Sequence, residues 1–251
     1  MSEHELPAIA PGDEQGPLIT QAPTWFTRAI ATEPEVRSIE VEGTRVEYLR
    51  WGDVTKPGLL LVHGNGAHAR WWSFIAPLLA HEYCVAAINI SGMGDSGWRE
   101  NYSLEIFAEE QMAVCEDAGF FRQEEPPIIV GHSFGGFITI LTGALYGDRL
   151  AGTVIVDSPV NPPERPFGRP SREVRAHRIY PTIEEAMARF RLAPPQPSEN
   201  KYIVDYIARH SLKEISTVDG ETGWAWKFDP AIWRHFNVGN MSERLAGSRW
   251  R

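Results

Sequence analysis

Four short apolar runs, at residues 58–62, 83–90, 128–130 and 152–156, each end in a loop of small or polar residues. Helix-like stretches separate them. A strand covered on one face alternates apolar and polar residues, whereas a run that is apolar throughout belongs to a strand covered on both faces. Parallel neighbours can be joined only by a crossover, so strand and helix in this rhythm call for a mostly parallel, doubly covered sheet, an α/β fold. At 251 residues the chain is long enough for one such domain with an inserted segment.

The third run carries the most specific signal. Ile128-Ile129-Val130 leads into Gly131-His132-Ser133-Phe134-Gly135-Gly136, and an apolar helix-like stretch follows from Phe137 to Tyr146. This is the strand–turn–helix setting of a G-x-S-x-G nucleophile elbow. Such a turn strains the serine backbone and pushes its Oγ out above the sheet. The residues two before and two after must be tiny because chain segments nearly collide there, and Gly131 and Gly135 fit. Ser133 is therefore the candidate attacking group. The plain alternative is an ordinary glycine-rich turn.

The rest of the chain divides in order. Residues 1–24 are rich in Pro, Gly, Glu and Ala with no periodicity, and are expected to lack structure. Rough alternation over 36–51, centred on Glu42-Gly43, predicts a hairpin. A helix is expected from Trp72 to Leu79, and another over 104–118 capped by Ser103, with Leu104, Phe107, Ala108, Met112 and Cys115 on one face. From Pro159 to about Arg175 the composition suits a linker or flap. Thr182-Ile183-Glu184-Glu185 reads as a capping box opening a helix to about Leu192. A second helix is expected over 199–212 and a third from Asp229-Pro230. The reading is thus a tail (1–24), a core (25–158), and a helical lid with the C-terminal segment (159–251).

Composition removes several function classes. A net charge of −9 with no Lys/Arg-rich run argues against nucleic acid and against an anionic membrane surface as partners. The N-terminal stretch is acidic and Pro-rich rather than basic then apolar, and no apolar run approaches membrane-spanning length. The expected location is cytoplasmic. The two cysteines, Cys84 in an expected strand and Cys115 in an expected helix, read as small core residues.

A serine hydroxyl attacks only when a base takes its proton, a third group orients that base, and donors receive the oxyanion. The candidate donors are the backbone N–H of Phe134, at the start of a helix, and of Asn65, in the His63-Gly64-Asn65-Gly66 loop. Gly64 to Ala69 and Gly92 to Gly97 also match the dinucleotide fingerprint G-x-G-x-x-G/A. A cofactor would want an acid at the end of the next strand, where Asn89 and Ile90 stand, so no organic cofactor is expected. His63 and His68 lack further ligands at suitable spacing, so no metal is expected either.

Taken together, His63-Gly64, Gly92-x-Gly94-x-Ser96 and Gly131-His132-Ser133-Phe134-Gly135-Gly136 resemble the α/β-hydrolase superfamily of serine esterases and related enzymes. Arg189-Phe190-Arg191-Leu192 and Trp226-Lys227-Phe228-Asp229-Pro230 are similar to lid sequences of bacterial members. The resemblance covers roughly residues 36–246. It implies the α/β-hydrolase fold, with Ser133 as nucleophile and Asn65 and Phe134 as oxyanion donors. Asn89 and Met93 depart from the acid and the histidine that many members carry there. Members run on through two more strands that bring the acid and the histidine. No β-like apolar run follows Val156, so this chain is expected to be truncated at its C-terminal end.

The base is consequently open. Downstream of Ser133 the histidines are His177, His210 and His235, all in expected lid segments. Asp157 closes the strand after the elbow helix, a place where some members carry the triad acid; otherwise it caps the turn before Ser158-Pro159. Trp71, Trp72, Trp224, Trp226, Trp233 and Phe236 read as packing, or as lining for an apolar acyl or ring-bearing substrate. The expected function is a serine hydrolase acting on an ester-like bond of a small apolar acyl substrate through an acyl-enzyme. The alternatives are a catalytically silent fragment or binding protein lacking the triad histidine, and a nicotinamide-dependent oxidoreductase.

Overall fold

The computed structural model describes residues 17–159, 178–216, 220, 222–234, 236 and 246. Cα packing divides the chain into two units, one built on residues 33–177 and 227–251, the other on residues 1–32 and 178–226. The described residues 25–32 fall in the second unit, and 227–234 and 236 in the first.

The first unit holds the sheet. β1 (Glu35–Val41) and β2 (Thr44–Trp51) form the expected hairpin. Its turn places Glu42 and Gly43 at φ 44° and 71°, the positive pair that a two-residue turn needs to match strand twist. β3 (Gly58–Val62) and β4 (Cys84–Ile88) are buried along their whole length. Between them the chain makes a 3-10 turn (Ala69–Trp72) and a short helix, α2 (Ala76–Leu79), rather than one continuous helix. α3 (Leu104–Asp117) starts where Ser103 Oγ accepts the Ile106 N–H at 3.1 Å, and buries the face expected of it. β5 (Ile128–His132), α4 (Phe134–Tyr146) and β6 (Gly152–Val156) follow.

The strand order is β1-β2-β4-β3-β5-β6, with β4, β3, β5 and β6 parallel and β1 and β2 antiparallel. Successive side chains point to opposite faces. Leu60, Val62, Ala86, Ile88 and Ile129 pack with α3 and α4 on one side. Leu59, Leu61, Val85 and Ala87 pack with the segment from Ala69 to Leu79 on the other. Both faces are covered, which explains why these strands read as unbroken apolar runs. Cys84 and Cys115 are buried and unpaired, as expected of core residues.

Asp229 does not open a helix. Its Oδ1 accepts the Ala231 N–H at 2.8 Å, but Oδ2 is held by the Tyr102 hydroxyl at 2.7 Å, and a turn results. Trp233 and Phe236, beyond that turn, pack on the α3–α4 side of the sheet.

In the other unit, a 3-10 turn (Pro17–Gln21) lies within the stretch expected to lack structure, and α1 (Thr24–Ile30) follows. α5 (Ile183–Met187) is capped as foreseen, Thr182 Oγ1 accepting the Glu185 N–H at 3.2 Å, but ends well before Leu192. α6 (Lys201–His210) is the expected second helix. Then comes a correction: Leu212 does not end a helix but begins β7 (Leu212–Ser216), which pairs antiparallel with β8 (Thr222–Trp226). Leu212-Lys213-Glu214 carries helix-forming residues, so local preference pointed the wrong way and pairing decided the outcome. The flap expected up to Arg175, together with His177, His235 and most of residues 237–251, lies outside the described residues.

Candidate active site

In an open parallel sheet, a crevice forms outside the strand C-termini where neighbouring connections leave in opposite directions. The strand order puts that point between β3 and β5: the chain leaves β3 toward β4 on one side and leaves β5 toward β6 on the other. The two loops that emerge there are Gly64-Asn65-Gly66 and the turn holding Ser133. Every site residue singled out in the sequence, Ser133, Phe134, Asn65 and Asp157, follows the end of β5, β3 or β6.

Ser133 sits between β5 and α4 at φ 51°, ψ −116°. Positive φ is rare for a residue with a side chain and marks stored strain. Three bonds hold it there. Its N–H donates to Val156 O at 2.9 Å, its carbonyl accepts from Gly136 N at 2.9 Å, and the Ser158 hydroxyl donates to the same carbonyl at 2.7 Å. The glycines answer to space. A Cβ on Gly131 would stand 2.4 Å from Thr139 Oγ1 and 2.5 Å from Gly135 O. One on Gly135 would stand 2.5 Å from His63 O, the backbone of β3's own exit.

The β3 loop lies directly against the elbow. A Cβ on Gly64 would be 3.3 Å from Ser133 Cβ and 3.2 Å from His132 Nδ1. The Asn65 and Phe134 amides make no hydrogen bond among the described residues, and Phe134 is the first residue of α4, where N–H groups lack helical partners. Two free donors on adjacent loops are what a developing oxyanion requires. The ring of Phe134 turns inward, packing edge-on to Phe107, Trp233 and Phe236.

Other residues fix this loop. The Gly66 N–H donates to Met93 Sδ at 3.2 Å, and Met93 is fully buried. Asn89 Oδ1 accepts the Ala69 N–H at 2.7 Å. His63 is buried, its Nε2 accepting from Ile90 N at 3.3 Å and its Nδ1 lying 2.8 Å from Gly64 O, so the proton is assigned to Nδ1. Burial lowers its pKa to about 4, with His132 adding a smaller push and the bond to Gly64 O opposing both. A neutral histidine bonded at both nitrogens is a brace for the loop rather than a base. The roles of Met93, Ser158 and Asn89 in holding these loops left no pattern in the sequence; in the structure a Cβ on Gly136 would clash with the Ser158 hydroxyl.

Asp157 follows β6, and β5–β6 pairing sets His132 opposite Val156, so Ser133 and Asp157 end neighbouring strands side by side. Asp157 is exposed and also has positive φ, 51°. No hydrogen bond reaches the Ser133 hydroxyl or the Asp157 carboxylate among the described residues. Of the three downstream histidines only His210 is described; it ends α6 in the other unit, its ring 4.3 Å from that of Tyr206.

Comparison with known proteins agrees with this architecture. A model of the alpha/beta hydrolase family matches residues 59–249. Lipase LipV of Mycobacterium tuberculosis is 30% identical over 111 residues, 44% of this chain and 41% of its own length. A monoacylglycerol lipase of Mycolicibacterium smegmatis is 28% identical over 209 residues, 80% of this chain and 66% of its own. The thioesterase domain from the curacin biosynthetic pathway superposes with TM-score 0.65 at 23% identity, covering 86% of this chain and 80% of that one, a likeness of fold. Matches to the first curated relatives span only 33% to 41% of those proteins' lengths. The sheet order, the strained turn after β5 and the match over residues 59–249 have one common explanation: the chain belongs to the alpha/beta hydrolase family.

Proposed function

We propose that this chain is a serine hydrolase that cleaves an ester-like bond through an acyl-enzyme. The observation that carries the reading is Ser133 held at φ 51° with the Gly64 loop against it, next to two loops whose Asn65 and Phe134 amides make no hydrogen bond among the described residues. Ser133 Oγ attacks the carbonyl carbon, and its proton passes to a base that the described residues do not include. The carbonyl electron pair moves onto oxygen, where the N–H groups of Asn65 and Phe134 receive it. Collapse expels the alcohol, which takes up a proton and leaves the acyl group on Ser133. Water then attacks the acyl carbonyl by the same route and releases the acid. Asp157, beside Ser133 at the strand ends, is assigned the orienting of that base.

An apolar acyl group as substrate is supported by the lipases among the relatives. The test is hydrolysis of p-nitrophenyl butyrate by the wild type and by Ser133→Ala. The expected loss is at least about a thousandfold, the order seen when a triad serine is removed. A folded wild type with no hydrolysis above the Ser133→Ala level would favour a binding protein that keeps the fold.

A further inference from the structure

The unit formed by residues 1–32 and 178–226 holds a cavity of about 370 Å³ between α5, the segment after it, and α6. Met187, Phe190, Leu192 and Val204 give it apolar wall, and Gln196 and Ser198 line it too. Two cations, Arg191 and Lys201, line it as well, both exposed to solvent. Neither has a carboxylate partner among the described residues. Arg191 Nη1 donates to Ala188 O at 2.9 Å and Phe190 O at 2.6 Å, which leaves the rest of the guanidinium unengaged. The acid in the lining, Asp205, is already paired, accepting from Arg209 Nε at 3.2 Å. Lys201 also begins α6, whose first turn receives no side-chain cap from Asn200, so the positive end of a ten-residue helix adds to the same field.

We propose that this cavity binds a single-chain alkyl carboxylate of medium length, its chain against Phe190, Leu192 and Val204 and its carboxylate between Arg191 and Lys201. Apolar walls with a few convergent polar groups are the usual make-up of a small-molecule site, and the volume sits at the lower end of that class, enough for one chain and not two. Two exposed cations in the lining, with no carboxylate partner among the described residues, select an anion over a neutral amphiphile. The proposal does not depend on Ser133, since binding is read without turnover.

The test uses the full chain carrying Ser133→Ala, titrated with decanoate and with decanol below their aggregation limits. Calorimetry is the readout, with tryptophan fluorescence as a second, because the Trp226 ring lies 6.1 Å from that of Phe190. Expected are saturable decanoate binding at one site per chain and decanol weaker by roughly tenfold. Lys201→Glu, at an exposed position, should weaken decanoate by roughly fivefold to tenfold and leave decanol unchanged. Val204→Trp should remove binding of both ligands while circular dichroism and melting stay as in the parent. Absence of saturable binding, equal affinity for decanoate and decanol, or affinity insensitive to Lys201→Glu would each overturn the proposal.

Discussion

Ser133 places a side chain at φ 51°, where a glycine would be relaxed. Ser133→Gly should therefore raise unfolding stability by about 1 kcal/mol, the relief of strain less the added chain entropy of glycine, while removing the hydroxyl. Urea unfolding of the two proteins checks it, and a destabilised variant would mean the turn is not strained. His63 gives a pH signature. Its folded pKa of about 4 lies below the ordinary value near 6.5, so the unfolded state binds more protons through that window and stability falls as pH drops from about 6.5 to about 4. The contribution reaches about 3 kcal/mol at the acid end. In His63→Asn the stability deficit relative to wild type should shrink across this range; a constant deficit would show that the imidazole titrates normally. The glycines at 131 and 135 could be read in the sequence because a fixed spacing enforces them. Met93 and Ser158 could not, because their roles come from contacts between loops far apart in the chain.

Among elements, those whose residues agree with their surroundings were legible: the buried strands, α3 with its Ser103 cap, and the hairpin turned by Glu42-Gly43. β7 and β8 were missed because Leu212-Lys213-Glu214 prefers a helix, and only pairing across Lys213–Ala225 and its neighbours makes it a strand. Asp229 has the chemistry of a helix cap and is drawn into a turn by Tyr102 instead. β6 is the edge of the described sheet, and Val154 and Val156 are 47% and 40% exposed on it. Exposed apolar edge strands recruit other chains. Val154→Lys with Val156→Lys should lower light scattering at high protein concentration with a melting temperature within a few degrees of wild type. Unchanged scattering would mean that this edge is not the route of association.

On the scale of the molecule, the pattern of apolar runs was enough to foresee a doubly covered parallel sheet, and the elbow motif placed the candidate site at its carboxyl edge. The strand order, and with it the switch point between β3 and β5, came from the structure, because which strands become neighbours depends on packing that no single run records. The grouping of residues 227–234 and 236 with the sheet unit goes with Lys227–Asp95 at 2.8 Å, Tyr102–Asp229, and the rings of Trp233 and Phe236 against Phe134 and Phe107, none of them visible as a pattern. All of this converges on one hydroxyl in a strained turn after β5, with the Gly64 loop packed against it. The most direct measurement is intact-mass analysis after exposure to a fluorophosphonate, followed by peptide mapping. A single adduct on Ser133, absent from Ser133→Ala, is the expected result; a folded wild type that stays unlabelled, or carries its adduct on another residue, would contradict it.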